Sequence, residues 1–274
     1  MSDPRDYVVF DTETTGMPPS ARLVEIGALK VRGNNIVDRF ESLVFPECPI
    51  PAEVIAIHGI TDADVADAPL ATKVIPEFLE WADGRPLVGH NVVFDAGILA
   101  AECVRLGMNA PHNRTFCTLR SARKHLQRKS HSLSNLVEEL NLPAAEHHRA
   151  SADATHTLNL LWYMQDMLGD KVLVEGLVLS SYSPDIPKLP ESKRLLTESA
   201  RLHQAVEIRY RMRDGRLLPM RVSPRFFFRR KDTICMEALC HHARYYKSYR
   251  LERIASVHPL PDAEQIAVEQ SLWL

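Results

Sequence analysis

An α/β domain with a mixed sheet, followed by a small, mostly β module, is the fold class that three features of the 274-residue sequence predict. Strand-like apolar runs come first, as a meander, and then alternate with helical patterns, the order expected of a mixed sheet flanked by helices. A Pro- and Ser-rich stretch, "SSYSPDIPKLPES" at 180–192, breaks all periodicity and reads as a linker. Beyond it the chain returns as short strands with a hairpin signal at Asp214-Gly215, a pair suited to a tight turn. The expected division is residues 1–170, a linker over 171–194, and residues 195–274.

The elements follow in order. Tyr7-Val8-Val9-Phe10 is a continuous apolar run, the mark of a strand buried on both faces. "LVEIGALKV" and "IVDRFESLVF" read as the next two strands of the meander. "PLVGHN" (86–91) reads as a strand feeding a helix from about Phe94 to Leu106. "RTFCTL" is a short strand, with helical patterns after it at 119–128 and 132–140 and Ser132 placed to cap the second. From Ser151 the chain reads helical, with Leu158, Leu161 and Leu168 as its core stripe. "AVEIRYRMRDGRLLPMRV", "FFFRRKDTICMEALC" and "YKSYRLERIASV" supply the strands of the second module.

Hydrophobic residues at 45% and charged residues at 25% describe a globular protein. The net charge of -2 conceals two opposed halves. Residues 1–170 carry 15 Lys/Arg and 23 Asp/Glu, a net of -8, whereas residues 195–258 carry 14 and 6, a net of +8. An acidic body with a basic module points to polyanion binding by the second part. Five cysteines with no C-x-x-C pair exclude a disulfide framework or a zinc ribbon. With no secretory leader and no long apolar segment, the expectation is a reduced, soluble, cytoplasmic protein that uses no membrane.

The chemistry concentrates at "FDTETTG", residues 10–16. Asp11 and Glu13 stand two apart at a strand's end, so both carboxylates share a face. Such proximity forces one of them to protonate unless a cation is supplied. Asp95 in "GHNVVFDAGIL" and Asp153 in "HHRASADATHT" each open a helix, where they can converge with the first pair. Hard oxygen ligands of this kind suit Mg²⁺ or Mn²⁺. His148, five residues before Asp153, offers a base that titrates near neutrality. Each acid has a plainer account: a strand end turning at Gly16, or helix N-terminal acids favoured by the dipole. Order and spacing together favour the shared site. A zinc site at His147-His148 lacks further ligands at suitable spacing.

"DTETTG", "HNVVFDAGIL" and "HHRASADATHT" resemble the three motifs of the DEDDh 3′–5′ exonucleases, in order over roughly residues 5–170. The resemblance implies a ribonuclease H-like fold and two divalent cations, Mg²⁺ or Mn²⁺, held by Asp11, Glu13, Asp95 and Asp153. It implies His148 as general base and a 5′-mononucleotide as product. A sister branch has Tyr four residues before the last Asp, where this sequence has Arg149. "IHGIT" (57–61) is similar to a family segment that approaches the terminal nucleotide. By the same resemblance Thr12, Thr14, Thr15, Met17, His58, Asn91 and Phe94 would cradle the 3′-terminal nucleotide, although Asn91 reads equally well as a turn residue.

The second module is similar to WYL domains, small Sm- or SH3-like β-barrels, in "RVSP" (221–224) and "YRLERI" (249–254). It departs from them at "ICM" (234–236), where Trp-Tyr-Leu is expected. Its charge, with Phe226, Phe227, Phe228, Tyr245, Tyr246 and Tyr249, suits single-stranded nucleic acid, phosphates meeting cations and bases stacking on rings. The other reading is a Phe core with a dimer surface and a solvated face of arginines. Arg221, Arg250 and Arg253 are the nucleic-acid candidates.

The reading is a metal-dependent 3′–5′ exonuclease acting on single-stranded DNA or DNA 3′ ends, with replication or repair proteins and a second copy of the chain as candidate partners. An RNA-trimming, oligoribonuclease-like enzyme is the near alternative. A nucleotide-sensing regulatory protein working through the WYL-like module is the alternative of another class.

Overall fold

The run Tyr7–Phe10 sits at the centre of a sheet and is packed from both sides. The protein is described by a computed structural model over residues 5–143, 149–261 and 264–265. It divides into two compact units, Met1–Ser183 and Pro184–Leu274.

In the first unit, β1 (Asp6–Thr14), β2 (Leu23–Arg32) and β3 (Asn35–Leu43) form the expected antiparallel meander. Three helices follow, α1 (Ala52–His58), α2 (Asp62–Val65) and α3 (Ala71–Ala82). Next come β4 (Leu87–Gly89), α4 (Val93–Arg105), β5 (Arg114–Cys117), α5 (Thr118–His125), α6 (Leu133–Glu139) and α7 (Ala150–Leu168). A last strand, β6 (Val174–Val178), completes a six-stranded sheet of order β3-β2-β1-β4-β5-β6. The β1–β4 and β4–β5 pairings are parallel and the rest antiparallel.

Alternation along β1 sorts its side chains between two cores. Val8 and Phe10 pack with Val74, Phe78, Ile98 and Leu99 of α3 and α4. Tyr7 and Val9 pack on the other face with Leu158, Leu161 and Met164 of α7. A strand covered on both faces has no polar register to show, hence its unbroken apolar sequence.

Three expectations need correcting. Leu168 closes α7 with 45% of its surface exposed, within a segment, 166–170, that is exposed throughout. Residues 171–194 are not all linker: β6 pairs with β5, and the boundary between units falls after Ser183. Ser132 stands at the N-cap position of α6 but makes no side-chain capping bond.

The second unit contains α8 (Arg194–Leu202) and the strands β7 (Val206–Arg211), β8 (Leu217–Arg230), β9 (Thr233–Cys240), β10 (Tyr245–Arg250) and β11 (Ile254–Pro259). They form one antiparallel sheet of order β10-β9-β8-β7-β11. Its core joins Leu196, Val206, Ile208, Phe227, Met236 and Ile254. The Asp214-Gly215 signal falls in the β7–β8 turn, where Gly215 has φ 87°.

Candidate active site

β1 delivers two acids to the carboxyl end of the sheet's centre. Asp11 and Glu13 are half-buried on one face, while Thr12 and Thr14 between and after them are buried on the other. This edge, where parallel strands lead into crossover connections, is where open α/β sheets gather ligands. α4 begins just beyond β4 and places Asp95 in its first turn.

Asp153 arrives by a close backbone contact. α7 starts on Gly27 of β2, where a Cβ would lie 2.2 Å from the Ser151 nitrogen and 2.4 Å from the Ala150 carbonyl carbon. Only glycine lets the helix touch the strand there. Gly27 is the ladder partner of Asp11, so the contact brings Asp153, in the first turn of α7, to Asp11. One carboxylate oxygen from each of Asp11, Glu13 and Asp153 lies within 4.8 Å of the others. Asp95 is adjacent but turned inward, with 3% exposure. Its Oδ1 accepts from the Thr12 amide at 3.1 Å and the Thr12 hydroxyl at 2.7 Å.

The electrostatics follow from this crowding. Burial raises the Asp11 carboxyl well above its ordinary range, and the charges of Asp95, Asp153 and Glu13 raise it further. Burial, then Asp153 and Glu25, pushes Glu13 up to about 8, against the opposing charge of Arg149. Burial takes Asp95 up to about 7, although its bonds from Thr12 pull the other way. Arg149 cannot neutralise the cluster alone. It forms a two-pronged pair with Glu25, whose Oε2 also accepts the Ala150 amide at 2.9 Å. Burial and mutual repulsion thus favour the protonated forms of Asp11, Glu13 and Asp95, and the cluster presents only hard oxygens. That donor set fits divalent Mg²⁺ or Mn²⁺, which would return the acids to their ionised form. Buried His156 approaches Asp153 Oδ1 at 3.2 Å through Nδ1 and fixes that carboxylate's direction.

Beside the acids lies a cavity of about 280 Å³. Of the residues expected to hold a terminal nucleotide, Thr12, Thr14, Met17, His58 and Phe94 line it. Met17 is 66% exposed and Ile57, also on the wall, is 58% exposed; apolar side chains in water suit the face of a base. His58 Nδ1 accepts the Ile60 amide at 3.0 Å, which leaves the proton on Nε2. That buried Nε2 has no hydrogen bond among the described residues, with the Thr14 carbonyl as its electrostatic neighbour. Burial lowers the His58 pKa, which favours the neutral ring.

Two expected cradle residues lie elsewhere. The Thr15 hydroxyl accepts the Arg22 amide at 2.9 Å and holds the turn after β1. Asn91, at φ 69°, lines a second cavity on the other side of the α4 start. His148 falls outside the described residues. Ile57 opens the segment 57–61 that the motif reading placed near the terminal nucleotide, whereas Val54, Glu25, Gly27 and His156 were given no role there. The signal for Val54 was its position one turn before His58 on the same helix.

The candidate arginines of the second unit lie in β8, at the end of β10 and in the turn that follows it. Arg221 pairs with Glu264 at 2.6 Å and Arg250 with Glu252 at 3.6 Å, while Arg253 has no ion pair among the described residues. The expected stacking rings are mostly interior: Phe226, Phe227, Phe228 and Tyr249 are all buried, because β8 and β9 are covered along these positions. Tyr246 is occupied by the Arg225 guanidinium, 3.3 Å from its ring centroid. These rings are not surfaces for bases.

Comparison with known proteins agrees with the geometry. The family model described as Exonuclease matches residues 8–161, and that described as WYL domain matches residues 191–259. A DNA polymerase III PolC-type of Caldanaerobacter subterraneus is 38% identical over 192 residues, 68% of this chain and 14% of that protein. A Mycobacterium tuberculosis protein named as a bifunctional exonuclease/endonuclease is 35% identical over 204 residues, 70% of this chain and 32% of that protein. The chain thus spans less than a third of either relative. Among solved structures, the nuclease domain of 3′hExo, a DEDDh family member bound to rAMP, aligns with a TM-score of 0.56 at 18% identity, covering 65% of this chain and all of that domain. Cell-death related nuclease 4 aligns with a TM-score of 0.53 at 16% identity over 60% of this chain and 65% of its own. These two establish the ribonuclease H-like exonuclease fold.

Proposed function

The chain belongs to the exonuclease family, and from that premise we propose that it is a divalent-metal-dependent 3′–5′ exonuclease that releases 5′-mononucleotides from DNA ends. The observation that carries the reading is the meeting of Asp11, Glu13 and Asp153 within 4.8 Å, beside a cavity sized for one nucleotide. DNA is favoured by the likeness to PolC-type DNA polymerases.

In this reading Asp11, Glu13, Asp95 and Asp153 hold two Mg²⁺ or Mn²⁺ ions. When bound, the ions neutralise the acids and polarise the scissile phosphate and the attacking water. The chain's own residues do the rest. Thr12 fixes the Asp95 carboxylate beside the cluster through two hydrogen bonds to Oδ1. His156 does the same for Asp153. Met17, Ile57 and Phe94 shelter the terminal base, and His58 offers its Nε2 proton to the nucleotide's oxygens. His148, just before the start of α7, takes the proton of the water that attacks phosphorus in line. The bond from phosphorus to the 3′ oxygen of the preceding nucleotide breaks, and that oxygen leaves with a proton. The phosphate departs on the released nucleotide's 5′ carbon.

The WYL domain contributes nucleic-acid affinity through its cations, the exposed Arg221 and Arg250 and the half-buried Arg253 among them, rather than through stacking. Replication or repair proteins and a second copy of the chain are the partners in this proposal. Its location is the cytoplasm; no helix among the described residues is long and apolar enough to cross a membrane.

One experiment tests the reading. Single-stranded DNA, duplex DNA and RNA, each labelled at the 5′ end, are incubated with Mg²⁺ or Mn²⁺ and with EDTA. A ladder shortening from the 3′ end, fastest on DNA and abolished by EDTA, is expected. A ladder unchanged by EDTA refutes the metal role, and faster loss of RNA reverses the substrate assignment.

A further inference from the structure

The acidic exonuclease unit contains one stretch of opposite sign. From Cys103 to Val137 the sequence has seven Lys or Arg and no Asp or Glu. Three of the seven are tied to acids elsewhere: Arg105 to Glu102 at 3.3 Å, Arg114 to Glu175 at 2.6 Å and Arg128 to Glu139 at 3.6 Å. Arg123, Lys124 and Lys129 are exposed and have no acidic partner among the described residues. Arg123 and Lys129 line the second cavity, of about 550 Å³, with His90, Asn91, Ser130 and His131.

This cavity adjoins the catalytic acids. Asn91 lies just before α4, whose first turn carries Asp95, and Phe94 of the same turn lines the nucleotide cavity. His90 feels the charge of Arg123 and His131 as well as that of Asp153. Its ring also ties two segments together, since Nε2 donates to the His131 carbonyl at 2.9 Å and Nδ1 accepts from the Thr118 hydroxyl at 3.0 Å. It pins the loop that carries Lys129 against the end of β4.

We propose that the second cavity is a phosphate-binding track, gripping the strand being degraded on the far side of the scissile phosphate from the terminal nucleotide; this rests on the exonuclease reading above. A unit carrying a net of -8 over residues 1–170 repels a polyanion, so attraction has to be local. Unpaired cations and serine hydroxyls without aromatic rings suit backbone contacts rather than base readout. The ligand class is a phosphodiester chain of either sugar.

The test compares a thymidine dinucleotide, whose single phosphate is the scissile one, with a thymidine dodecamer on the full chain. The double variant Arg123→Gln/Lys129→Gln changes two exposed side chains and leaves the acids alone. The ratio of kcat/KM for dodecamer over dinucleotide should fall about tenfold, and the salt slope of dodecamer binding should become shallower by about 1.4, at about 0.7 per lost phosphate contact on a single strand. The charge-keeping variant Arg123→Lys/Lys129→Arg should restore both. An unchanged ratio and slope, or an equal fall on both substrates, overturns the track. If the wild-type chain cuts neither oligonucleotide, the exonuclease reading fails, while the slope of dodecamer binding in EDTA still decides the track.

Discussion

The two units treat charge in opposite ways. In the exonuclease unit, acids are driven together without counter-ions: Asp11, Glu13 and Asp153 share 4.8 Å, and the nearby Arg149 is engaged by Glu25. In the WYL unit, some cations are matched locally, as in Arg225 with Glu237, Arg216 with Asp214 and Arg194 with Glu198, while Arg209, Arg211, Arg213 and Arg230 are exposed with no acidic partner among the described residues. The exposed pairs of Arg216 and Arg194 are worth little, about 0–1 kcal/mol each, and the unit keeps its excess of positive charge on its surface. A net charge therefore says less about a site than the places where charge is left uncompensated. By that measure the catalytic acids and the Arg123/Lys129 cavity stand out in the exonuclease unit, and in the WYL unit the unpaired arginines of its strands and turns do.

The largest break in this contrast comes from removing a clustered acid. Asp11→Ala or Asp153→Ala should reduce metal-dependent hydrolysis to background, with the thermal midpoint in EDTA unchanged or raised because a repulsive charge has gone. A clear fall in that midpoint would mean that the acids serve the fold instead. His148→Ala comes next, with single-turnover hydrolysis slower by about 10²–10⁴-fold, the usual worth of a general base. An undiminished rate removes it from the mechanism.

Gly27→Ala sharpens the comparison from the backbone side. The added methyl would meet the start of α7 at 2.2 Å. Overpacking of this kind costs about 1–3 kcal/mol, and here the displacement falls on Asp153. Activity should drop by a larger factor than stability alone explains, measured at a temperature where the variant stays folded.

The response to pH is smaller and has a definite sign. Glu13 is raised to about 8 in the folded chain from its ordinary value near 4.5, so between those values the folded state binds more protons than the unfolded one. Stability without metal should therefore fall as pH rises through that window. Mg²⁺ should raise the melting temperature more at pH 8 than at pH 6. Equal metal effects at the two values would place Glu13 outside the binding site. The last test concerns the WYL unit. Ending the chain at Ser183 should weaken single-strand binding and flatten its salt slope. An identical slope would leave the WYL unit without a part in binding.

Much of the exonuclease unit is legible in the sequence because its strands are either fully apolar or alternate cleanly, and because its acids occupy element ends. α3 is hidden by Pro76, an interior proline that reads as a helix breaker yet is retained because Val74, Ile75 and Phe78 bury a strong face. β6 is five residues long with a central glycine, too short for alternation to stand out. The acids Asp11, Glu13 and Asp153 are readable from spacing; the seat on Gly27 and the Glu25–Arg149 pair are not, since they arise only when β2 and α7 meet. In the WYL unit, three consecutive phenylalanines left a stacking surface and a core equally open in the sequence, and the burial of all three favours the core.

The contact between Gly27 and the start of α7 has an evolutionary consequence. Because two main chains meet there, the spacing between Asp153 and Asp11 is governed by no side chain whose size can drift. Substitutions can accumulate throughout both cores while the gap between the opposing carboxylates stays constant. Position 27 itself becomes the narrow gate through which any descendant of this chain must pass.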